Sequence, residues 1–580
     1  MILQALAEYY QRKVSDPKSD LAPIGWEWKE LPFLLVINEE GDLRAIEDTR
    51  EKKGNRLRAK SFLVIQGEKR SSGIKPNLLW DNVEYVLGAN PRGRSDFAKR
   101  HKAFKERIAD EFPEGTEPLG VLAVKRFLDK NPLEQINKKF GESELWKEIF
   151  ESNAFVTFRL EGDNSATIFD EMRGLFPKED SFADPQERGI CLVSGKKAQI
   201  LKLHPAIKGV RGTNTSGASV VSFNLDAFSS YGKRQNFNAP LSNEAVFAYS
   251  TGLNYLLRRD SENKVSVGNT TIVFWADKAE QELFDMEQNF PLFINDPPKD
   301  DPDRGVRAVR ALYQFASSGK MPASSGERFF VLGLAPNAAR ISVRFWRSGT
   351  LNDFSEKMIQ HFDDIEIVKG PKEPEFLTLN QLIRSTAVGR KMENALPKLA
   401  ADVLTSVMDG TPYPKPFMQQ CVMRIRAEKH IGRARAAILK GCINRYQRKY
   451  GDKRREALSV ALDRENLSTA YRLGRLFAVL ERIQEVSHPG INATIRDRFY
   501  GAASSSPVSV FPRLLKLKNH HLAKMENQGQ KTFYEREIGE IISEIKAFPR
   551  FLPIDQQALF AVGYYHQRQE IFRKKEERNK

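Results

Sequence analysis

Only three cysteines, Cys191, Cys421 and Cys442, occur in 580 residues, with no CxxC pair and no histidine at zinc-finger spacing. That scarcity excludes a disulfide framework, argues against a structural metal and fits a reducing compartment. No uninterrupted apolar run reaches the roughly 18 residues that span a bilayer. The opening Met1–Tyr10 lacks the basic region and cleavage site of a signal peptide and reads as an amphipathic helix, so a cytoplasmic location is expected. No GxxxxGK[ST] loop is present, which leaves an ATPase without its phosphate cradle. Internal repeats are lacking too, and the one biased tract is the short basic end Arg573–Lys580.

Positive charge is abundant, and it is unevenly distributed. The chain holds 91 Lys+Arg against 75 Asp+Glu, yet residues 421–580 alone hold 32 against 17. Residues 1–420 are therefore close to neutral, and the C-terminal part suits a polyanion. A pI near 9.4 points to nucleic acid or an anionic membrane. Without a lipidation signal or a basic helix backed by a Trp/Phe face, nucleic acid is favoured and no membrane partner is expected.

The length corresponds to about three or four domains at roughly 150 residues each. Residues 1–270 mix short strands, helices and Gly-rich turns: Phe33–Ile37 and Leu43–Ile46 read as a hairpin, and Phe62–Ile65 as a further strand. From 271 to 370, the runs Thr271–Trp275, Phe329–Leu334 and Arg340–Trp346 read as one sheet, in an order like half of a ferredoxin-like fold. Lys369–Pro374 marks a boundary, after which strand patterns nearly vanish and residues 371–580 read as a basic helical bundle. The fold class expected is α+β, a mixed N-terminal body with a helical C-terminal domain. In the helix after Pro512, Arg513, Lys516, His520 and Lys524 form a polar stripe while Leu514, Leu515, Leu522 and Met525 gather on another face.

Candidate chemistry is sparse. Asp363–Asp364 after His361 is the nearest approach to a two-metal nuclease cluster, but it ends an amphipathic helix. His520–His521 point about 100° apart on a helix and do not share a metal easily. His204 has no neighbouring cluster, and Cys191 without a motif reads as a buried thiol rather than a nucleophile. No catalytic residue, metal or cofactor is therefore assigned. Three polar loops stand out instead. Gly73–Asn82 carries Lys75 and Asn77, the types that reach guanine acceptors and adenine, with a capped turn and Trp80 in the core as the competing reading. Lys208–Gly217 is Gly-rich and basic, and reads as a close approach to a nucleic-acid backbone or as an ordinary surface turn. Ser230–Pro240 holds the cations and amides of a backbone-gripping loop.

Met1–Leu6, Gly73–Trp80, Leu203–Val210, Val221–Asn224, Asn238–Leu257 and Pro489–Ser504 together resemble the large subunit of the subtype I-C CRISPR effector complex, Cascade. The resemblance runs from the first residue nearly to the last. It implies a non-catalytic subunit that reads the protospacer-adjacent motif in duplex DNA, promotes opening of the duplex and recruits a helicase-nuclease. The implied partners are target double-stranded DNA, the displaced single strand, crRNA, and the backbone, crRNA-processing and small subunits. The small subunit of this subtype comes from an internal start and is equivalent to the C-terminal bundle, here from about 460. No Met lies between Met423 and Met525, so such a start would use a non-AUG codon such as that of Val460, or begin earlier, at Met408, Met418 or Met423.

Combined with side-chain chemistry, the resemblance assigns motif reading to Lys75 and Asn77. Backbone or groove contacts fall to Lys208, Arg211, Asn214, Lys233, Arg234, Gln235 and Asn236. Arg496, Arg498, Arg513, Lys516 and Lys524 are the strand-binding candidates of the bundle. Two other readings compete: a metal-dependent nuclease resting on Asp363 and Asp364, and an RNA-binding scaffold whose basic part holds crRNA.

Overall fold

The computed structural model describes residues 1–16, 19–53, 56–68, 73–163, 165–172, 188–278, 281–317, 328–451 and 457–573. About half of the chain is helix and 15% is strand, in several small sheets followed by a helical C-terminal region, so the fold class is α+β. Two compact units are distinguished.

The smaller unit comprises Tyr10–Lys202 and Ser230–Thr251. Its four-stranded sheet runs in the order Leu43–Asp48, Phe33–Ile37, Phe155–Leu160, Asp81–Asn82. The expected hairpin forms, with Phe33 opposite Asp48 and Leu35 opposite Ile46. Phe33–Ile37 is buried at every position because it is an inner strand covered on both faces, which an unbroken apolar run allows. It pairs in parallel with Phe155–Leu160, a geometry that needs a long crossover. The helices Phe97–Glu111, Leu119–Asp129, Pro132–Phe140 and Glu144–Ser152 fill that crossover. Phe104, Ile108, Val124, Phe127 and Ile149 come from them into one core with the sheet. The strand expected at 62–65 is Ser61–Ile65, paired with Trp26–Glu30.

The larger unit comprises Met1–Tyr9, Leu203–Ser229 and Gly252–Lys580. The three strands expected between 271 and 370 join Lys264–Val267 in a four-stranded antiparallel sheet whose order follows the sequence. The ferredoxin-like half is not what forms. Thr270–Ala276 pairs antiparallel with its immediate neighbour Arg328–Asn337, because two helices, Gln281–Ile294 and Arg304–Ser317, lie in the connection and return the chain reversed. A single crossover helix would have brought it back parallel. Leu351–Ile365 follows, opened by a capping box in which Thr350 and Asp353 satisfy each other's backbone N–H.

Beyond 371 the described residues contain no strand, only helices; the long ones are Leu399–Asp409, Lys415–Glu428, Arg433–Tyr450, Thr469–Ser487, Ile495–Ser505, Phe511–Ala523, Gln528–Ser543 and Ile554–Phe572. These share one hydrophobic core with the sheet, running from Val265 to Tyr565. The expected boundary at 270/271 lies inside the strand Thr270–Ala276. Across the boundary expected near 371, the Tyr565 hydroxyl donates to the Val368 carbonyl at 2.8 Å.

Candidate nucleic-acid interface

Among the described C-terminal cations, six are buried: Arg433, Arg435, Lys440, Arg445, Arg472 and Arg475. Their partners explain why. Lys440 donates to the carbonyls of Asp363 and Asp364 at the end of Leu351–Ile365, and Arg445 to Ser406 and Thr411 at the end of Leu399–Asp409. Arg472 reaches the Arg464 and Asn466 carbonyls. The last carbonyls of a helix lack intrahelical donors and carry its negative pole, so a buried guanidinium or ammonium there satisfies both. These six cations are thus internal scaffolding and do not contribute to an outward-facing basic surface.

On the helix Phe511–Ala523 the two faces separate as the spacing predicts. Leu514, Leu522 and Met525 are buried, while Arg513, Lys516, His520 and Lys524 are exposed. Arg513 lies over the Phe499 ring at 5.4 Å, and Lys524 Nζ is 3.1 Å from His488 Nε2. His521 turns inward to meet His488, with ring centroids 5.4 Å apart. Arg498 is exposed, whereas Arg496, two positions earlier on Ile495–Ser505, is not on the same surface. Arg496 faces Glu481 at 3.6 Å and Tyr564, in a network that also holds Arg568. Helical rotation of about 200° over two residues puts the two arginines on opposite sides, so Arg496 is half-buried and ion-paired where Arg498 is exposed.

The loop 207–218 is closed by bridging of Ile207 with Ala218. Lys208 N–H donates to Asn254 Oδ1 at 2.8 Å, and Arg211 N–H to Thr271 Oγ1 at 2.9 Å. With its backbone so fixed, the loop exposes the side chains of Lys208, Arg211 and Asn214. Arg211 Nη1 also touches the Gly268 carbonyl at 3.2 Å.

In the loop 230–238, Lys233, Arg234 and Gln235 are exposed but Asn236 is buried, which argues against a direct contact by Asn236. The short helical turn Gln235–Asn238 rotates it inward.

The loop after Gly73 divides similarly. Lys75 is the only exposed residue between Lys75 and Trp80. Asn77 is 4% exposed; its Oδ1 accepts the Glu68 N–H at 2.9 Å and its own N–H donates to Asp81 at 2.8 Å. Trp80 is buried and donates to the Ile65 carbonyl at 2.8 Å. The capped-turn alternative therefore describes this backbone, with the Asn77 amide oxygen engaged in holding the turn. Arg107 further clamps the turn, donating to the Pro76 carbonyl and pairing with Glu68 at 2.9 Å.

Composition gave no hint of a basic cavity of about 470 Å³ at the start of the helix Arg433–Tyr450. Arg384, Arg390, His430, Arg433 and Arg435 line it, with Glu373 the one acid. Burial, then the cations Arg390 and Arg435, push the His430 imidazole below its usual pKa. The signal in the sequence was weak: two arginines at the start of a helix, far from Arg384 and Arg390.

The acidic pair of the nuclease reading is committed elsewhere. Asp364 is held by Arg445 at 3.3 Å and by Arg448, and Asp363 accepts the Tyr313 hydroxyl. Among the described residues no group of three or more His, Cys, Asp or Glu could hold a metal ion. All three cysteines are buried, and no described helix is long and apolar enough to cross a membrane.

A model of the family described as CRISPR-associated protein (Cas_Csd1) matches residues 6–572. The chain belongs to this family. The match covers both units and every candidate loop and helix above, so the Cas_Csd1 assignment describes the whole chain rather than one domain. No curated protein matches it.

Proposed function

We propose that this Cas_Csd1 protein is the non-catalytic large subunit of a subtype I-C, crRNA-guided surveillance complex. In this reading it recognises the protospacer-adjacent motif in duplex DNA, promotes strand opening, holds the displaced strand and recruits the helicase-nuclease. It works with crRNA and with the backbone, crRNA-processing and small subunits. Guide pairing then supplies most of the sequence specificity, and the protein needs to read only a few base pairs.

The observation that carries the reading is the family match across residues 6–572. Two features agree with it. The exposed cations sit on hydrogen-bonded loops, at Lys208 and Arg211 and at Lys233 and Arg234, as fixed-register phosphate contacts require. The stripe Arg513, Lys516 and Lys524 supplies a sequence-blind surface for a strand. Lys75 is the motif-reading candidate, with Asn77 as the buried residue that holds its turn.

The test is target binding by the complex assembled with crRNA, across all motif variants. Omitting the chain should abolish discrimination between motifs, and Lys75→Ala should flatten the ranking. A complex that ranks motifs identically without this subunit would overturn the proposal.

A further inference from the structure

Tyr231 is 100% exposed, more than any other large apolar side chain among the described residues. It sits in a turn closed by the Lys233 N–H donating to the Ser230 carbonyl at 2.9 Å. Both central residues have positive φ, +52° at Tyr231 and +70° at Gly232. Turns of that kind favour Asn, Asp or Gly at the first central position, and an aromatic residue there is strained. The strain is held in place from below. Asn238 accepts the Ser230 N–H at 2.9 Å and donates to the carbonyls of Lys233 at 3.1 Å and Gln235 at 2.9 Å.

The ring itself gains no burial for this strain, so packing does not explain a tyrosine at this position. A ligand does. Strained, over-determined backbone gathers where a side chain must be presented in one orientation, and a braced loop loses little freedom on binding. The flanking chemistry selects the ligand class. Lys233, Arg234 and Gln235 are exposed, and neither cation makes an ion pair among the described residues. An aromatic face beside two unneutralised cations matches a nucleobase and its adjoining phosphates.

We propose that Tyr231 is a stacking residue whose ring takes the face of an unpaired nucleobase, while Lys233 and Arg234 hold the neighbouring phosphates. This rests on the nucleic-acid-binding reading above and names the contact within it. A protein partner is the competing occupant.

The test uses the purified full chain and a fluorescein-labelled DNA fork with unpaired arms, titrated over a range of salt. Tyr231→Asn removes the ring and suits the turn, so binding should weaken roughly 5- to 100-fold with an unchanged salt slope. Its unfolding temperature should stay equal or rise. Tyr231→Phe keeps the aromatic face and should bind within about twofold of the parent. With 5-iodo-deoxyuridine in an arm, illumination should crosslink the peptide that contains Tyr231. If the parent binds the fork but Tyr231→Asn binds equally well, the stacking proposal falls and the broader reading stands. If the parent binds no nucleic acid, both fall. Loss of assembly with partner subunits at full DNA affinity would instead assign the ring to a protein contact and overturn the proposal.

Discussion

Arg445 Nη1 lies 3.3 Å from Asp364 Oδ2, with 1% and 2% of the two side chains exposed. An ion pair so enclosed is attached to both chain segments it joins: Arg445 also reaches the Ser406 and Thr411 carbonyls, and Asp364 also accepts from Arg448. The pair shows why net charge alone overstates the binding surface of this protein. A cation counted in the basic C-terminal part is here a structural strut.

Removing one member of that pair should be costly. Asp364→Ala leaves the Arg445 guanidinium buried without its counter-charge and should destabilise the protein by about 3–5 kcal/mol, read from urea denaturation. A loss below about 1 kcal/mol would mean that water reaches the site and relieves it.

Stability should fall as the pH drops below about 6.5. Burial holds the His361 and His566 imidazoles at pKa values of about 3, and the nearby Arg445 and Lys440 push in the same direction. Unfolded histidine protonates near 6.5, so between the two values the unfolded chain binds the extra protons. The contribution is fully present above about 6.5 and is lost at up to roughly 1.4 kcal/mol per pH unit for each residue. Denaturation midpoints at pH 7 and pH 5 measure this, and His566→Gln should reduce the difference.

Gly474→Ala should disrupt the packing of Thr469–Ser487 against Ile554–Phe572. A Cβ at Gly474 would lie 2.0 Å from the Phe560 carbonyl oxygen, and one at Gly563 would lie 2.2 Å from that of Tyr471. Both obstacles are backbone, so the helices must separate. Destabilisation of about 1–3 kcal/mol or more is expected from thermal unfolding, with Gly539→Ala, where a Cβ meets nothing within 4 Å, as the tolerated control.

Lys516→Glu with Lys524→Glu should weaken nucleic-acid binding uniformly across sequences and lower the salt slope by about two. Arg496→Ala should behave differently. Because Arg496 faces Glu481 and Tyr564, its loss should lower thermal stability while leaving the salt slope unchanged. Equal effects of the two variants on the slope would show that Arg496 reaches the strand after all.

Tyr471 and His566 illustrate what single positions conceal. Their 2.8 Å hydrogen bond joins two helices almost a hundred residues apart, and no local pattern marks either as a partner of the other. By contrast, Phe33–Ile37 announces an inner strand and Arg513–Lys524 a two-faced helix, since both patterns repeat within a few residues.

Local pattern was enough for the α+β class, the hairpin of Phe33–Ile37 with Leu43–Ile46, the three strands beginning at Thr271, Phe329 and Arg340, the helical C-terminal region and the two faces of Phe511–Ala523, but it did not mark Lys264–Val267 as a strand. Periodicity and turn chemistry are local, and they suffice for that. Which polar residues face outward depends on packing between distant segments. Lys75 and Asn77 are two positions apart, as are Arg496 and Arg498, yet one of each pair is exposed and the other engaged within the fold. The deciding partners, Glu68 for Asn77 and Glu481 for Arg496, belong to other segments that folding brings alongside. A buried donor or acceptor must be satisfied wherever its partner lies in the chain, and that requirement is visible only once the segments have packed.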